Sequence, residues 1–160
     1  MDPLEAMLPG DCLVYRPTSL MGWIIAVKTW TRAAHVEGFL GRGWSVASRD
    51  GKGVNLYPVR LDGLCRVLRP KRPFDMPAAM RWFHSTAKGQ KYDWLGLLCF
   101  TLAVRHGAKD RMFCSEFMTR WYRNGGFYPV APWVDADHVA PAQLFQSPEF
   151  LCSWSDGKPV

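Results

Sequence analysis

Of the side chains in this sequence that can act as nucleophiles, Cys114 has the most telling surroundings. It opens the stretch Cys114-Ser115-Glu116-Phe117-Met118-Thr119-Arg120-Trp121-Tyr122-Arg123-Asn124-Gly125-Gly126. Phe113, Phe117 and Trp121 recur every four residues with Met118 beside them, so the spacing predicts a helix with one apolar face, and the glycine pair predicts its end. Cys114 then falls at the helix N-terminus, where backbone N–H groups lack intrahelical partners and the positive end of the dipole favours a thiolate over a thiol. A cysteine so placed can attack a carbonyl, whereas a cysteine inside a core is only a small apolar residue. Both readings fit the stretch taken alone.

A thiolate nucleophile needs a general base, ordinarily an imidazole brought to it by the fold. His84, His106 and His138 lie in polar or loop-like stretches and read as surface residues. His35 differs, because it opens the apolar segment Val36 to Leu40 directly after Ala33-Ala34, where a rigid sheet could aim the ring at a helix start. Glu37 shares its strand face by the period of two and is a further polar neighbour. His138 with Asp135 and Asp137 offers donor atoms, yet no ligand at convincing spacing stands elsewhere, so no metal and no cofactor is expected.

The elements that must carry these residues follow from the patterning. Pro9-Gly10-Asp11 is a turn signature before a short strand at Cys12 to Arg16. Leu20, Trp23, Ile24, Val27 and Trp30 then predict a helix of about three turns. Segments near 35–40, 44–48, 54–59 and 64–68, separated by Gly-containing turns, predict an antiparallel meander. Asp75 as cap, Pro77 in the first turn and Gly89 as stop bound one helix, and Asp93 caps an apolar one over 94–104. The remaining tail reads as a wrap around the core with a short helix at Pro141 to Phe145. Segregated runs of strands and helices predict a single α+β domain over residues 1–160, with helices packed on one antiparallel sheet.

Composition narrows the classes of partner. The chain has 160 residues, 48% apolar and 21% charged, which suits one globular core. Its net charge of +6 favours anionic partners, but the densest cluster, Arg66, Arg69, Lys71 and Arg72, is broken by Pro70 and Pro73 and does not make a nucleic-acid stripe. Five widely spaced cysteines form no disulfide or zinc framework. The N-terminus shows no export signal, so a cytoplasmic protein, or one released without a signal peptide, is expected. The eleven apolar residues from Trp94 to Val104 are too few to span a bilayer.

Gly10-Asp11, His35-Val36, Gly53-Val54, Tyr57-Pro58, Gly89, Tyr92-Asp93, Cys114-Ser115-Glu116 and Ala140-Pro141 stand in the order in which similar pieces occur in one family. In these the chain resembles the circularly permuted branch of the NlpC/P60 papain-like superfamily, the YiiX-like group related to lecithin:retinol acyltransferase-type proteins. The resemblance implies a permuted papain-like fold in which histidine precedes cysteine. It implies Cys114 as nucleophile, His35 as base, and an oxyanion site at the Cys114 N–H near Tyr92, Ser115 and Glu116, with Glu116 itself structural. The family's third polar residue, which orients the imidazole, aligns with Ala47 here, and Ser48 is the substitute taken, with Asp50, Asn55 and Glu37 nearby. The implied activity is a cysteine hydrolase cleaving an amide of a peptidoglycan-like or acyl-amide substrate through a thioester. Alternatives are a lipid acyl hydrolase or acyltransferase using the same pair, and a catalytically dead binding module.

Overall fold

The computed structural model describes residues 3–18, 22–23, 26–27, 30–93, 110–156 and 158–160. The predicted helix at 94–104 lies outside them, as does most of the one at 20–30. Six antiparallel strands and a two-residue edge strand form one sheet: β1 (Cys12–Tyr15), β2 (His35–Gly41), β3 (Trp44–Arg49), β4 (Gly53–Pro58), β5 (Leu64–Pro70), β6 (Phe150–Ser155) and β7 (Lys158–Pro159). Their order across the sheet is β4-β3-β2-β1-β5-β6-β7. With helices packed against it, the molecule is α+β, as its segregated runs of elements predict.

Two pairings differ from the sequence expectation. β2, β3 and β4 form the predicted meander, but β5 does not continue it: it crosses back to pair with β1, Leu13 opposite Val67. The tail, expected only to wrap, supplies β6 against β5, Val67 opposite Trp154. Short apolar runs such as Phe150 to Trp154 carry too little periodicity to separate strand from coil, and it is the neighbouring edge of β5 that makes them a strand.

One face of the sheet packs Val14, Val36 and Val46 against the helix Cys114–Asn124, through Phe117, Met118 and Trp121. Gly38 belongs to this face, and a Cβ there would lie 2.7 Å from the Trp121 ring, so only glycine lets the helix sit this close. The other face holds a smaller cluster around Leu13, Tyr15, Phe39, Val67 and Trp154. The first turn of the Cys114 helix is buried all round rather than on one stripe: Ser115 Oγ donates to the Val139 carbonyl, so the tail covers the side that amphipathic spacing left open. Gly125 and Gly126 end the helix as expected.

A second helix, Met76–Trp82, starts at Asp75, whose side chain accepts from the Ala78 N–H at 2.9 Å, and runs into a π-helical turn at Phe83–Ala87. The predicted Pro141–Phe145 helix is present. Among the described residues no helix is long and apolar enough to cross a membrane.

Candidate functional site

Cys114 is the first residue of its helix, and Phe113 before it gives no side-chain cap, so the helix start presents backbone N–H groups beside the sulfur. What brings this start to the sheet is a short hydrogen-bonded lattice. Ser48 Oγ on β3 donates to the carbonyl of Met112. The Met112 N–H donates to the Lys91 carbonyl at 3.1 Å, and Gly89 and Gln90 exchange backbone bonds with Val54 of β4, each 2.8 Å. Gly53 is required there: its φ is +73°, and a Cβ would run into the Gln90 carbonyl. The residues before Cys114, and Tyr92 with them, are thereby tied to the β3–β4 edge.

His35 begins β2 opposite Tyr15 of β1, whose ring centroid lies 5.8 Å from the imidazole. Its Nε2 is 3.0 Å from Glu37 Oε1. With that nitrogen committed, Nδ1 is the one left to face Cys114, whose sulfur is near enough to act on the ring. At the strand's first position the ring sits beside Glu37, two residues further along the same strand. Burial works against its cation, yet the sulfur of Cys114, as a charge and as a hydrogen-bond partner, and then Glu37, raise the imidazole to about 9. The arrangement therefore favours the imidazolium form of His35 at neutral pH.

Glu37 is fully buried and completely paired. Arg49 grips it with two bonds, Nε to Oε1 at 2.8 Å and Nη2 to Oε2 at 2.9 Å, while Ser45 Oγ donates to Oε2 at 2.6 Å. The Arg60 guanidinium stands 3.5 Å from Oε1. Burial alone would raise the carboxyl, but His35 and Arg49 outweigh it and hold it well below the usual carboxylate range. It is an obligate anion facing the ring, which is the chemistry required to orient an imidazole and stabilise its cation.

The sequence reading made Ser48 the third residue, and the structure corrects this. Ser48 is buried on the helix side, its hydroxyl spent on the Met112 carbonyl, and it has no bond to His35. It holds the nucleophile's segment, while Glu37, weighed only as a neighbour, takes the place facing Nε2. The register of β2 and β3, Gly38 opposite Val46, continues to put Ala47 across from Glu37, so that small residue sits beside a carboxylate that reaches the ring from its own strand. Asn55 Oδ1 bonds the neighbouring Leu56 N–H, on an exposed part of β4. Arg49 was missed altogether, and Ser45 stood only as a residue flanking Ala47. The period of two does put them on one face of β3, but only the pairing with β2 shows that this face meets Glu37.

The remaining predicted residues divide. Tyr92 lies close enough to Cys114 that, after burial, the sulfur is the next cause raising its phenol, followed by Asp50 and Asp93. Ser115 faces the tail. Glu116 is buried and bonded to Arg120 Nε at 3.1 Å; burial pushes its carboxyl up to about 7, Arg120 opposing and Asp137 and Asp93 adding to the rise. Both support the helix start rather than line an opening. Asp135, Asp137 and His138 bring ligand atoms within 4.8 Å of one another on an open turn, where His138 Nδ1 is already paired with Asp137 at 3.0 Å.

Neither the family models nor the curated proteins contain a match to this chain.

Proposed function

We propose that the protein is a cysteine hydrolase with a permuted papain-like arrangement, acting on an amide bond through a thioester. The observation that carries this reading is the position of His35, 3.0 Å from Glu37 through Nε2 and near enough to the Cys114 sulfur for it to raise the imidazole. In the reaction the Cys114 sulfur bonds to the substrate carbonyl carbon, and the carbonyl electrons move to oxygen, close to the Cys114 N–H and the Tyr92 phenol. The intermediate collapses as the C–N bond breaks, and His35 gives its Nδ1 proton to the leaving amine. Water then adds to the thioester with the neutral ring as base, and the acid leaves as the thiol is restored. Glu37 remains ionised throughout and fixes the ring.

The basic surface favours an amide carried on an anionic polymer, such as a peptidoglycan peptide. A second reading is hydrolysis or transfer of a lipid acyl group by the same residues; a cavity of about 590 Å³ bounded by Trp23, Val27 and Phe145, which neither Cys114 nor His35 lines, offers room for an acyl chain. Against a catalytically dead binding module, the third reading, stands the pairing of Glu37 with His35. Incubation with wall fragments and, separately, with acyl-amide or phospholipid vesicles tests the proposal. Release of amine or peptide, a thioester on Cys114 seen by intact mass, and loss of both in Cys114→Ala support the amide reading. A long-chain acyl adduct without wall activity replaces it with the lipid reading, and no adduct with any substrate refutes the hydrolase.

A further inference from the structure

The segment that leads into His35 carries side chains the catalytic arrangement does not use. Trp23 is 59% exposed, Val27 67% and Trp30 93%. Gly22, Trp23, Ala26 and Val27 have helical backbone, and Trp23, Val27 and Trp30 border one cavity together. The Trp30 N–H donates to the Val27 carbonyl at 3.2 Å and the Thr31 N–H to the Ala26 carbonyl at 3.0 Å. Trp30 itself has φ +52°, a conformation uncommon for a bulky residue, and it holds an indole almost wholly in solvent. Exposed apolar side chains so grouped mark an interaction surface.

Charge indicates the partner. Arg32 and Arg66 border the same cavity, Arg66 lying 4.2 Å over the Phe145 ring; the one acid there, Asp156, is paired with Arg16. The whole chain carries +6. Indoles with an aliphatic residue between them and arginines at the margin are the composition that seats at a headgroup boundary, with rings at the interface and cations toward anionic lipid. We propose that the surface formed by Trp23, Val27 and Trp30 docks this protein peripherally on an anionic lipid bilayer. The docking does not depend on the hydrolase reading, because none of its residues belongs to the Cys114, His35 and Glu37 group.

Co-sedimentation of the full chain with vesicles tests it. The chain should partition onto phosphatidylcholine vesicles containing phosphatidylglycerol, and more weakly onto phosphatidylcholine alone or at high salt. Trp23→Ser with Trp30→Ser should lower partition about tenfold, in keeping with interfacial binding scaling with buried apolar area. Trp133→Ser, at an equally exposed indole elsewhere, and Cys114→Ala should bind as the parent does, which separates docking from chemistry and from general stickiness. Circular dichroism checks that the double variant is folded. Absence of binding by the parent, equal binding by the folded double variant, or a dimer in solution that the double variant abolishes in place of vesicle binding overturns the proposal.

Discussion

Glu37 meets His35 from the same strand, two residues away, with its Oε1 3.0 Å from the ring Nε2. Acid and base therefore share one rigid element, and their separation is set by the strand repeat rather than by the packing of two elements. Cys114 is delivered from elsewhere, by the helix start that Ser48 and Lys91 tie to the sheet.

Glu37→Gln keeps the shape but removes the anion that stabilises the imidazolium. With the imidazolium less stable, His35 becomes a poorer partner for the sulfur, so alkylation of Cys114 by iodoacetamide at pH 7 should slow by about tenfold or more. Peptide mapping after limited labelling measures it. In the parent, Cys114 should label ahead of Cys12, Cys65 and Cys152; an unchanged rate in the variant would remove Glu37 from the site.

Arg49→Met leaves a buried carboxylate without its bidentate partner. Breaking a buried pair from one side costs about 3–5 kcal/mol, so the melting temperature should drop sharply. The double variant Glu37→Leu with Arg49→Met should regain much of that stability and none of the Cys114 reactivity. Denaturant unfolding and alkylation, measured together, separate the two effects.

Ser48→Ala tests the corrected assignment. It strands the buried Met112 carbonyl, with an expected loss of about 1–3 kcal/mol. The pH dependence of Cys114 alkylation should keep its midpoint, since Ser48 does not touch the ring; a displaced midpoint would restore Ser48 as an orienting residue.

Stability should fall on both sides of mildly acidic pH. Glu37 has a depressed folded value, so its contribution is present above its ordinary 4.5 and is lost as pH falls below that. His35 is raised, so its contribution is full below 6.5 and is lost as pH rises through about 9. Glu116 is also raised, so its contribution is full below 4.5 and lost as pH rises through about 7. Thermal melts across this range should show the decline, and Glu116→Gln should be more stable than the parent above pH 7, with the advantage fading toward pH 4.5.

By itself the sequence determined that Cys114 would start a helix and His35 a strand, because apolar spacing and glycine stops are local signals that a helix or strand obeys wherever it sits. It determined the α+β class for the same reason, through the segregation of its runs. It left the third residue unresolved, because Glu37, Ser48, Asp50 and Asn55 are all polar groups near strand ends, and which one faces an imidazole depends on strand order and register. The crossing of β5 to β1 and the recruitment of Phe150–Ser155 as β6 were likewise invisible, since pairing joins residues far apart along the chain. Only the folded sheet decided that Arg49 and Ser45 would close on Glu37 while Ser48, one residue from Arg49 but on the opposite face, would hold Met112. The alternation of a pleated strand sends adjacent side chains to opposite faces, and one residue of register separates an orienting group from a structural one.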